Sequence, residues 1–487
     1  MVKSTKDGTI ACKFKKSHYI LFNILIFIIL YGLVAWLRPM NDDWYYLTSP
    51  NPDFSLSDLL PQKTFWRPFD ALFGGFLSFC PALFPWINRF FVILAHIFNG
   101  FLIKKIANKI CVNQYIGIFA SCFFLFSSSC WAVIVSPDAL NQAFSLLFGL
   151  LAILVHFNQE GYKYILFCII SIFWKESGIS FFFIVPLFEL VFRKINIKEF
   201  FKDKSQLKRT LKQIIFSLLI IIVYFIARFA LQGEVSLGSD YGTYDISIFS
   251  ISFIKNVFLL VASAATGIDT IALFGAEKSL ILICITTILS LIFLVSVCWA
   301  AIYSVRKKHP IFPFFCLCIC IFALIAPLAV IGHAGEMHAY PVLFGIVILF
   351  AYCYDASKFS IKKILLCFIS IAIAFVISAA HKVDAIYEYN SQTKRVENEI
   401  ADLYDLTPGD VLFVVVNDID GYSVFSQTGI RGTYYGTNMR QYLDWKELYN
   451  AYIDVENMFD AQKYIDVYGE QYSQIFIVEN DYINKVK

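Results

Sequence analysis

Long apolar stretches are the feature of this 487-residue sequence that most limits its possible folds. A helix needs about 20 mostly apolar residues to cross a lipid bilayer, so we interpret eleven stretches as membrane spans. They lie at residues 19–38, 86–103, 115–135, 140–157, 163–174, 178–192, 213–232, 279–304, 310–331, 339–355 and 363–380. Hydrophobic residues make up 58% of the chain and charged residues 16%, against about 45–50% and about 25% in soluble domains. The pattern predicts an all-α polytopic membrane protein and excludes a soluble enzyme, a disordered protein and a collagen-like fibre.

The charge balance changes near residue 383. Residues 384–487 contain 8 Lys and Arg against 18 Asp and Glu, whereas the rest of the chain is basic. We therefore predict a transmembrane domain over 1–383 and a small acidic domain over 384–487. Within the latter, a helix over 383–404 and strands over 411–416 and 474–478 indicate an α/β fold.

The distribution of Lys and Arg predicts the orientation. With the N-terminus inside, the positive residues concentrate in the inner loops, as is usual for membrane proteins, and the acidic C-terminal segment lies outside. Residues 251–275 are also apolar enough to span, but counting them would place Arg306, Lys307 and Lys308 outside. We therefore predict that 251–275 is a re-entrant or interfacial helix on the outer face.

The first outer loop, residues 39–85, carries the first candidate site. Asp42 and Asp43 directly follow the first span. Because adjacent carboxylates repel each other, one should titrate higher than an isolated Asp. The pair could hold a divalent cation such as Mg²⁺ or Mn²⁺, or supply a general base; a solvated loop start is the alternative. Arg67, before Pro68, is suited to bidentate contact with phosphate or to anchoring at lipid head groups.

Two further outer turns carry acidic or basic residues. Asp138 follows the third span and is either a site residue or a helix N-cap. Lys175 and Glu176 lie between two apolar spans, where charges usually face an interior or a cavity. Because sequence neighbours are poorly placed to pair with each other, each should have another partner, for Lys175 a substrate phosphate.

The last candidate turn precedes the tenth span. Glu336 and His338 there could contact phosphate or sugar, and a solvated turn is the alternative. Together with His333 they could in principle bind a metal, although no ligand-spacing template fits.

Other polar residues within the spans are predicted to be structural. Glu189 should pair with Arg193 one turn later, and Arg228 can snorkel from a helix end. His96 and Asn99 should form hydrogen bonds between helices.

Several function classes have no sequence support. The chain has no nucleotide-binding glycine motif, and nothing indicates nucleic acid binding. Its 13 Cys include no CxxC pair and are predicted to be packing residues rather than disulfides or metal ligands. Because all the unusual ionisable residues are predicted on the outer face, an activated substrate there would have to be lipid-borne.

These residues, taken in order, resemble the GT-C membrane glycosyltransferases. The shared marks are the acidic pair Asp42-Asp43, Arg67-Pro68, Asp138, the turn Lys175-Glu176-x-Gly178, and Glu336 before Tyr340. The branches most similar are the protein O-mannosyltransferase-like enzymes and bacterial relatives that glycosylate lipids or surface polysaccharides. Residues 19–380 carry the resemblance. It departs at the late turn, where relatives often have Arg before the Tyr and this chain has Met337-His338-Ala339.

The resemblance implies inverting transfer of a sugar from a polyprenyl-phosphate donor to a hydroxyl of a glycan, lipid or protein acceptor. It implies an integral protein of the plasma membrane, in a bacterium the inner membrane. Asp42 would be the base, with Asp43 orienting it or helping to hold a cation. The donor phosphate would be bound by Arg67, Lys175 and His338, and the substrates oriented by Asp138, Glu176 and Glu336.

Two other functions stay open. An O-antigen-type polysaccharide polymerase would rely on Arg-rich outer loops, which this chain lacks. A non-enzymatic transporter of lipid-linked glycans would be expected to have inverted repeats and charges near the membrane midplane.

Overall fold

The computed structural model of the chain describes residues 16–37, 59–61, 66–78, 84–136, 139–158, 162–232, 250–274, 279–306, 310–330, 335–402, 411–416, 451–455, 458–479 and 482–487. Within these ranges sixteen α-helices come first, followed by a small sheet with one more helix. The helices are α1 Lys16–Val34, α2 Pro68–Ser78, α3 Phe84–Ile110, α4 Gln114–Phe126, α5 Trp131–Val135, α6 Leu140–Phe157, α7 Lys163–Trp174, α8 Phe181–Phe192, α9 Ile197–Lys202, α10 Lys204–Gln232, α11 Ile251–Ala265, α12 Thr270–Phe274, α13 Leu280–Arg306, α14 Phe312–Ala329, α15 Glu336–Ser357 and α16 Ile361–Asp402.

Eight helices in the described ranges are long and apolar enough to cross a membrane: α1, α3, α6, α10, α13, α14, α15 and α16. A ninth span is formed if α4 and α5 are counted together, across a 45° bend. The fold is therefore that of a polytopic α-helical membrane protein. The predicted spans over 163–174 and 178–192 correspond to α7 and α8, which have 12 residues each. The count of eleven spans stays a prediction.

Helix α15 lies at the centre of the bundle. It is buried over 83% of its spanning window, whereas α10 and α13 are buried over 22%. The exposed faces of α10 and α13 carry large apolar side chains, among them Val223 and Trp299. In water such a surface would be strongly unfavourable, and in a bilayer it contacts lipid tails. The polar residues at the start of α15 are therefore held by the most enclosed helix of the fold.

The mid-bundle polar residues are structural, as the sequence predicted. His96 and Asn99 on α3 both contact the hydroxyl of Tyr340 on α15, at 3.0 and 3.1 Å. Glu189 pairs with Arg193 at 2.8 Å. Arg228, expected to snorkel to the surface, is instead buried at 5% exposure.

Contacts between helix ends show which helix termini lie at the same end of the bundle. At one end, Asp355 at the close of α15 accepts hydrogen bonds from the N–H groups of Val112 and Asn113, after α3. Its carboxylate also lies 3.7 Å from the ammonium of Lys194, after α8. The start of α15 lies at the opposite end, about 33 Å away along this 22-residue helix. Asn99 joins Tyr340, near that start, to the Ala143 carbonyl in the first turn of α6, and Lys175 contacts Asn141 in the same turn. Glu176 therefore lies at this end as well, and we call it the Glu176 end.

Residues 251–275 do not form one continuous helix. Helix α11 has 15 residues, or about 22 Å at 1.5 Å per residue, which is shorter than the hydrocarbon core of about 30 Å. It is followed by an unwound break, Thr266–Asp269, and by α12. Location of this segment on the outer face stays a prediction.

The backbone of this break is satisfied by side chains. The N–H of Gly267 donates to Ser290 Oγ at 3.0 Å, and that of Asp269 to Thr286 Oγ1 at 3.3 Å. Both hydroxyls belong to α13. Unwound backbone at membrane depth persists only with such partners.

The last strands form a four-stranded sheet in the order β2-β1-β3-β4. The strands are β1 Val411–Val416, β2 Ala451–Val455, β3 Gln474–Glu479 and β4 Tyr482–Lys485, with α17 Met458–Tyr468 between β2 and β3. Strand β1 is parallel to both neighbours, and β4 is antiparallel to β3. The two predicted strands are confirmed. The predicted domain boundary at residue 383 falls inside α16, which runs without a break to Asp402.

Candidate functional site

Five of the eight predicted site residues lie in the described part of the chain. Arg67, Lys175 and Glu176 belong to one polar cluster at the Glu176 end, and Glu336 to a second. His338 is one turn into α15. The candidates Asp42, Asp43 and Asp138 lie outside the described residues, as does His333, so their assigned roles stay predictions.

The first cluster is organised by Glu176. One carboxylate oxygen accepts a hydrogen bond from Arg67 Nε at 2.9 Å, and the other from the backbone N–H of Trp66 at 3.0 Å. The two residues that Glu176 binds come from the first predicted outer loop, about 110 positions away in sequence. This carboxylate therefore fixes the loop against the turn between α7 and α8.

Lys175 points to a different set of partners. Its ammonium donates to Asn141 Oδ1 at 3.2 Å, and the amide of Asn141 donates to Asp70 Oδ2 at 3.2 Å. Asn141 lies in the first turn of α6 and Asp70 in the first turn of α2. The expectation that Lys175 and Glu176 each have another partner is confirmed.

The backbone at this turn explains why the neighbours diverge. Lys175 is extended, with φ −156°, and Glu176–Ser180 form a tight 3₁₀ turn. A side chain on Gly178 would come within 2.5 Å of the Ser171 backbone, so the turn can fold back onto α7 only with glycine there. The glycine of the Lys-Glu-x-Gly sequence is thus required by the fold of this turn.

Aromatic rings and another cation border the cluster. The Trp66 ring stacks on Tyr224 of α10 with a centroid distance of 5.3 Å, and lies 5.1 Å from Phe173. Arg228, one turn after Tyr224, is buried and interacts electrostatically with the Tyr224 hydroxyl. Arg228 therefore joins Arg67 and Lys175 as a third positive residue in this region.

The ionisation of Glu176 follows from these contacts. Burial alone would raise the pKa of its carboxyl, but the positive charge of Arg67 and the hydrogen bonds from Arg67 and Trp66 lower it more, so the pKa is below its ordinary value. Glu176 is therefore ionised at neutral pH. Its stabilising contribution is present above the pKa it would have in the unfolded chain and is lost as the pH falls through the lower folded-state pKa.

The second cluster is centred on a buried ion pair. Lys382 Nζ of α16 lies 2.6 Å from Glu336 Oε1 of α15 and also donates to the Ser128 carbonyl at 2.9 Å. Both side chains are almost fully buried. The hydroxyl of Thr270 on α12 donates to the same Glu336 oxygen at 2.8 Å. Removing one member of such a pair typically costs about 3–5 kcal/mol, because a buried charge is left without a partner.

The same cluster contains a carboxylate and an imidazole from other elements. Asp269, in the break before α12, is fully buried and lies 2.9 Å from His381 Nδ1 of α16. Glu336 Oε2 is buried and makes no hydrogen bond within the described part of the chain. Glu336, Asp269 and Thr270 thus join the interrupted segment to two spanning helices.

His338 has a structural contact at the start of α15. Its Nδ1 accepts a hydrogen bond from the Gly335 N–H at 2.9 Å, which satisfies one of the free backbone donors of the helix start. The neutral ring therefore carries its proton on Nε2. The predicted phosphate contact of His338 stays a prediction.

A metal site is not found among the residues that the structure describes, since they contain no group of three His, Cys, Asp or Glu side chains placed to hold an ion. The predicted cation ligands Asp42 and Asp43 are outside those ranges. The cysteines in the described ranges carry free thiols.

Four members of these clusters are not among the residues predicted from the sequence: Asp70, Asn141, Asp269 and His381. Asp70 follows Arg67-Pro68 within one helical turn, and Asn141 follows Asp138 at the start of a span. Their closeness in sequence to predicted site residues could have identified both. Asp269 had another signal, since it is a lone acidic residue in an apolar segment. His381 had a weaker signal, as a polar residue beside Lys382 at the end of the last apolar stretch.

The fold and the two clusters define a polytopic helical membrane protein with charged groups gathered at one end of its bundle. Comparison with models of protein families gives no match, and comparison with curated proteins gives none either.

Proposed function

We propose that this protein is an inverting membrane glycosyltransferase of the GT-C type. It moves a sugar from a polyprenyl-phosphate donor to an acceptor hydroxyl on the extracytoplasmic face. The supporting observation is the contact of Arg67 with Glu176, which holds a predicted phosphate ligand from the first outer loop against the turn that also carries Lys175. Such an assembly of distant positive residues at one membrane face suits a lipid-borne anion.

The charge of the cluster supports the choice of donor. Arg67, Lys175 and Arg228 are three positive residues near two carboxylates, Asp70 and Glu176. A leaving polyprenyl phosphate gains negative charge as its bond to the sugar breaks. Fixed positive groups that face this developing charge lower the barrier, because they are oriented before the reaction starts.

The reaction is a single displacement. The acceptor hydroxyl attacks the anomeric carbon from the side opposite the phosphate, and the bond from that carbon to the phosphate oxygen breaks with its electron pair leaving on the phosphate. A base on the outer face takes the hydroxyl proton; Asp42 is the sequence-based candidate, with Asp43 beside it. Asp138 and Glu336 are the sequence-based candidates for orienting the substrates, and Glu176 holds the Arg67 guanidinium in position.

The transfer reaction tests the proposal directly. Purified protein in liposomes, given radiolabelled polyprenyl-phosphate hexoses and glycan, lipid or peptide acceptors, should form a glycosidic bond with inverted stereochemistry. Asp42→Asn should abolish transfer without reducing the amount of folded protein, because the amide cannot take a proton or bind a cation. Asp384→Asn, at an exposed position of α16, is the matched control and should retain activity.

Two outcomes count against the proposal. Transport of the labelled lipid across the liposome membrane with no bond formation would indicate a transporter. Activity with a lipid-linked oligosaccharide and none with a monosaccharide would indicate a polymerase. In cells, loss of a sugar from the surface glycans after gene deletion, measured by mass spectrometry, would identify the acceptor class.

A further inference from the structure

The histidine–aspartate pair of the second cluster has the geometry of a proton-accepting dyad. His381 Nδ1 lies 2.9 Å from Asp269 Oδ2. Because a carboxylate can only accept a hydrogen bond, Nδ1 carries the proton and donates it. In the neutral ring Nε2 is then the unprotonated nitrogen, the atom that can take up a proton.

Asp269 is held so that it cannot turn away from the imidazole. Its side chain is fully buried, and its other oxygen, Oδ1, accepts a hydrogen bond from the Ala272 N–H at 2.9 Å. Its own N–H is bound by Thr286 Oγ1 of α13. The carboxylate is thereby fixed from both sides and shielded from water.

His381, in contrast, remains reachable. Its side chain is 28% exposed, and within the described ranges Nε2 makes no hydrogen bond to the protein. A buried, immobile carboxylate behind a partly exposed imidazole is the arrangement by which enzymes orient a histidine base and stabilise its protonated form.

The dyad lies at the Glu176 end of the bundle, the end that also carries Arg67 and Lys175. His381 is 20 residues beyond the start of α16, or about 30 Å along the helix, which is one hydrocarbon thickness. Its neighbour Lys382 is paired with Glu336 at the Glu176 end. The charged groups of the described ranges near His381 are Asp269, which contacts it from the break before α12, and Lys382 and Asp384 of its own helix. Lys382 is in turn paired with Glu336 of α15.

We infer that His381, oriented by Asp269, is the group that accepts the proton of the acceptor hydroxyl. The inference rests on the proposed glycosyl transfer and concerns the identity of its base. The O–H bond of the acceptor breaks as an N–H bond forms at Nε2, the oxygen attacks the anomeric carbon, and polyprenyl phosphate leaves with the electron pair. Asp42 and Asp43 then orient the sugar or hold a cation.

The pH dependence of transfer, compared between the wild type and His381→Gln, distinguishes the two bases. If the imidazole is the base, kcat/KM of the wild type decreases at acidic pH because a protonated imidazole cannot accept the proton, and this decrease is absent from the residual activity of His381→Gln. If Asp42 is the base, His381→Gln keeps the wild-type pH profile.

The variants to be measured are His381→Gln, Asp269→Asn and Tyr387→Phe. His381→Gln should lower kcat about 100-fold or more, leave the donor KM nearly unchanged and remove the decrease at acidic pH from the residual activity. Asp269→Asn should also lower kcat rather than raise KM, because the amide no longer enforces the Nδ1–H form of the ring. Tyr387→Phe removes a 2.7 Å hydrogen bond of the same helix to the Leu33 carbonyl and should change neither constant.

Failure of the inference and failure of the function are separable. An unchanged pH profile in His381→Gln, or full kcat in that variant, overturns the inference and leaves the glycosyltransferase intact. If His381→Gln does not fold, Asp269→Asn decides in its place, and an unchanged kcat in Asp269→Asn overturns the inference. Absence of transfer by the wild-type protein on every donor overturns the proposed function, and the inference with it.

Discussion

Arg67 and Glu176 form the contact that joins the first predicted outer loop to the turn after α7. The sequence predicted that Lys175 and Glu176 would not pair with each other, because adjacent side chains at a turn diverge. It could not predict that Arg67 is the partner of Glu176, since that depends on how the first outer loop packs against the turn after α7. The side chains of Arg67 and Glu176 are 24% and 28% exposed, so the pair is partly open to solvent.

A double substitution tests whether Arg67 acts on substrate or only on Glu176. Arg67→Met alone leaves Glu176 without its charged partner and should lower kcat about 100-fold or more, as loss of a charge-stabilising group does. Adding Glu176→Gln removes the unpaired charge. If Arg67 binds the leaving phosphate, Arg67→Met/Glu176→Gln stays as inactive as Arg67→Met in the liposome transfer assay.

The control for this pair is Glu176→Gln alone, whose amide oxygen can still accept the hydrogen bond from Arg67. It should retain most of the activity and lose thermal stability. Recovery of transfer in the double variant would contradict the phosphate role and make Arg67 a structural partner of the carboxylate.

The interrupted segment of α11 and α12 is the element that the sequence predicted only in outline. Counting this segment as a span would place Arg306, Lys307 and Lys308 outside, so the sequence did not predict a span there. Helix α11 is also too short to cross the bilayer. Sequence alone did not reveal the break, because the partners of its N–H groups are hydroxyls of α13. Gly267 allows a close approach to α16 there, since a side chain at this position would lie 2.8 Å from Ala374 Cβ.

Removing one hydroxyl should loosen this break. Thr286→Val keeps the shape of the side chain but deprives the Asp269 N–H of its acceptor. An unsatisfied buried group typically costs about 1–3 kcal/mol, so amide hydrogen exchange at Thr266–Asp269 should become about 5-fold to about 150-fold faster. Thr287→Val, the neighbouring position on α13, is the matched control and should exchange like the wild type.

Equal exchange rates in Thr286→Val and Thr287→Val would show that the α13 hydroxyl does not hold the break. Because Asp269 lies in this segment, the same substitution should also weaken the contact of Asp269 with His381. Thr286→Val should therefore lower transfer activity in parallel with the faster hydrogen exchange at Thr266–Asp269.

Elements with a strong hydrophobic pattern were predicted well. Each predicted span overlaps a helix, and the strands at 411–416 and 474–478 are present, because runs of apolar residues determine both. Helices α7 and α8 show the limit of this method. Their sequences are apolar enough to be taken as spans, but at 12 residues each they are about 18 Å long, and packing against α6 and α10 sets where they end.

At the scale of the whole molecule, the two ends of the bundle differ in chemistry. The end near Asp355 carries basic residues such as Lys109, Lys194 and Arg193, as the positive-inside rule predicts for a cytoplasmic surface. The Glu176 end carries the paired carboxylates and cations of both clusters. The distribution of charge along the sequence predicted this division, whereas the partners within each cluster follow from tertiary packing.

Side-specific labelling tests the central claim that the Glu176 end and the acidic pair at its first loop face the exterior. Two variants are compared, Asp42→Cys and Lys198→Cys, and residue 198 is an exposed position near the end of the bundle that carries Asp355. Intact cells are treated with a membrane-impermeant maleimide, and the labelled peptides are identified by mass spectrometry. The account predicts labelling at residue 42 in intact cells and at residue 198 only after permeabilisation. Labelling of residue 198 from outside, with residue 42 protected until the cells are opened, would contradict it.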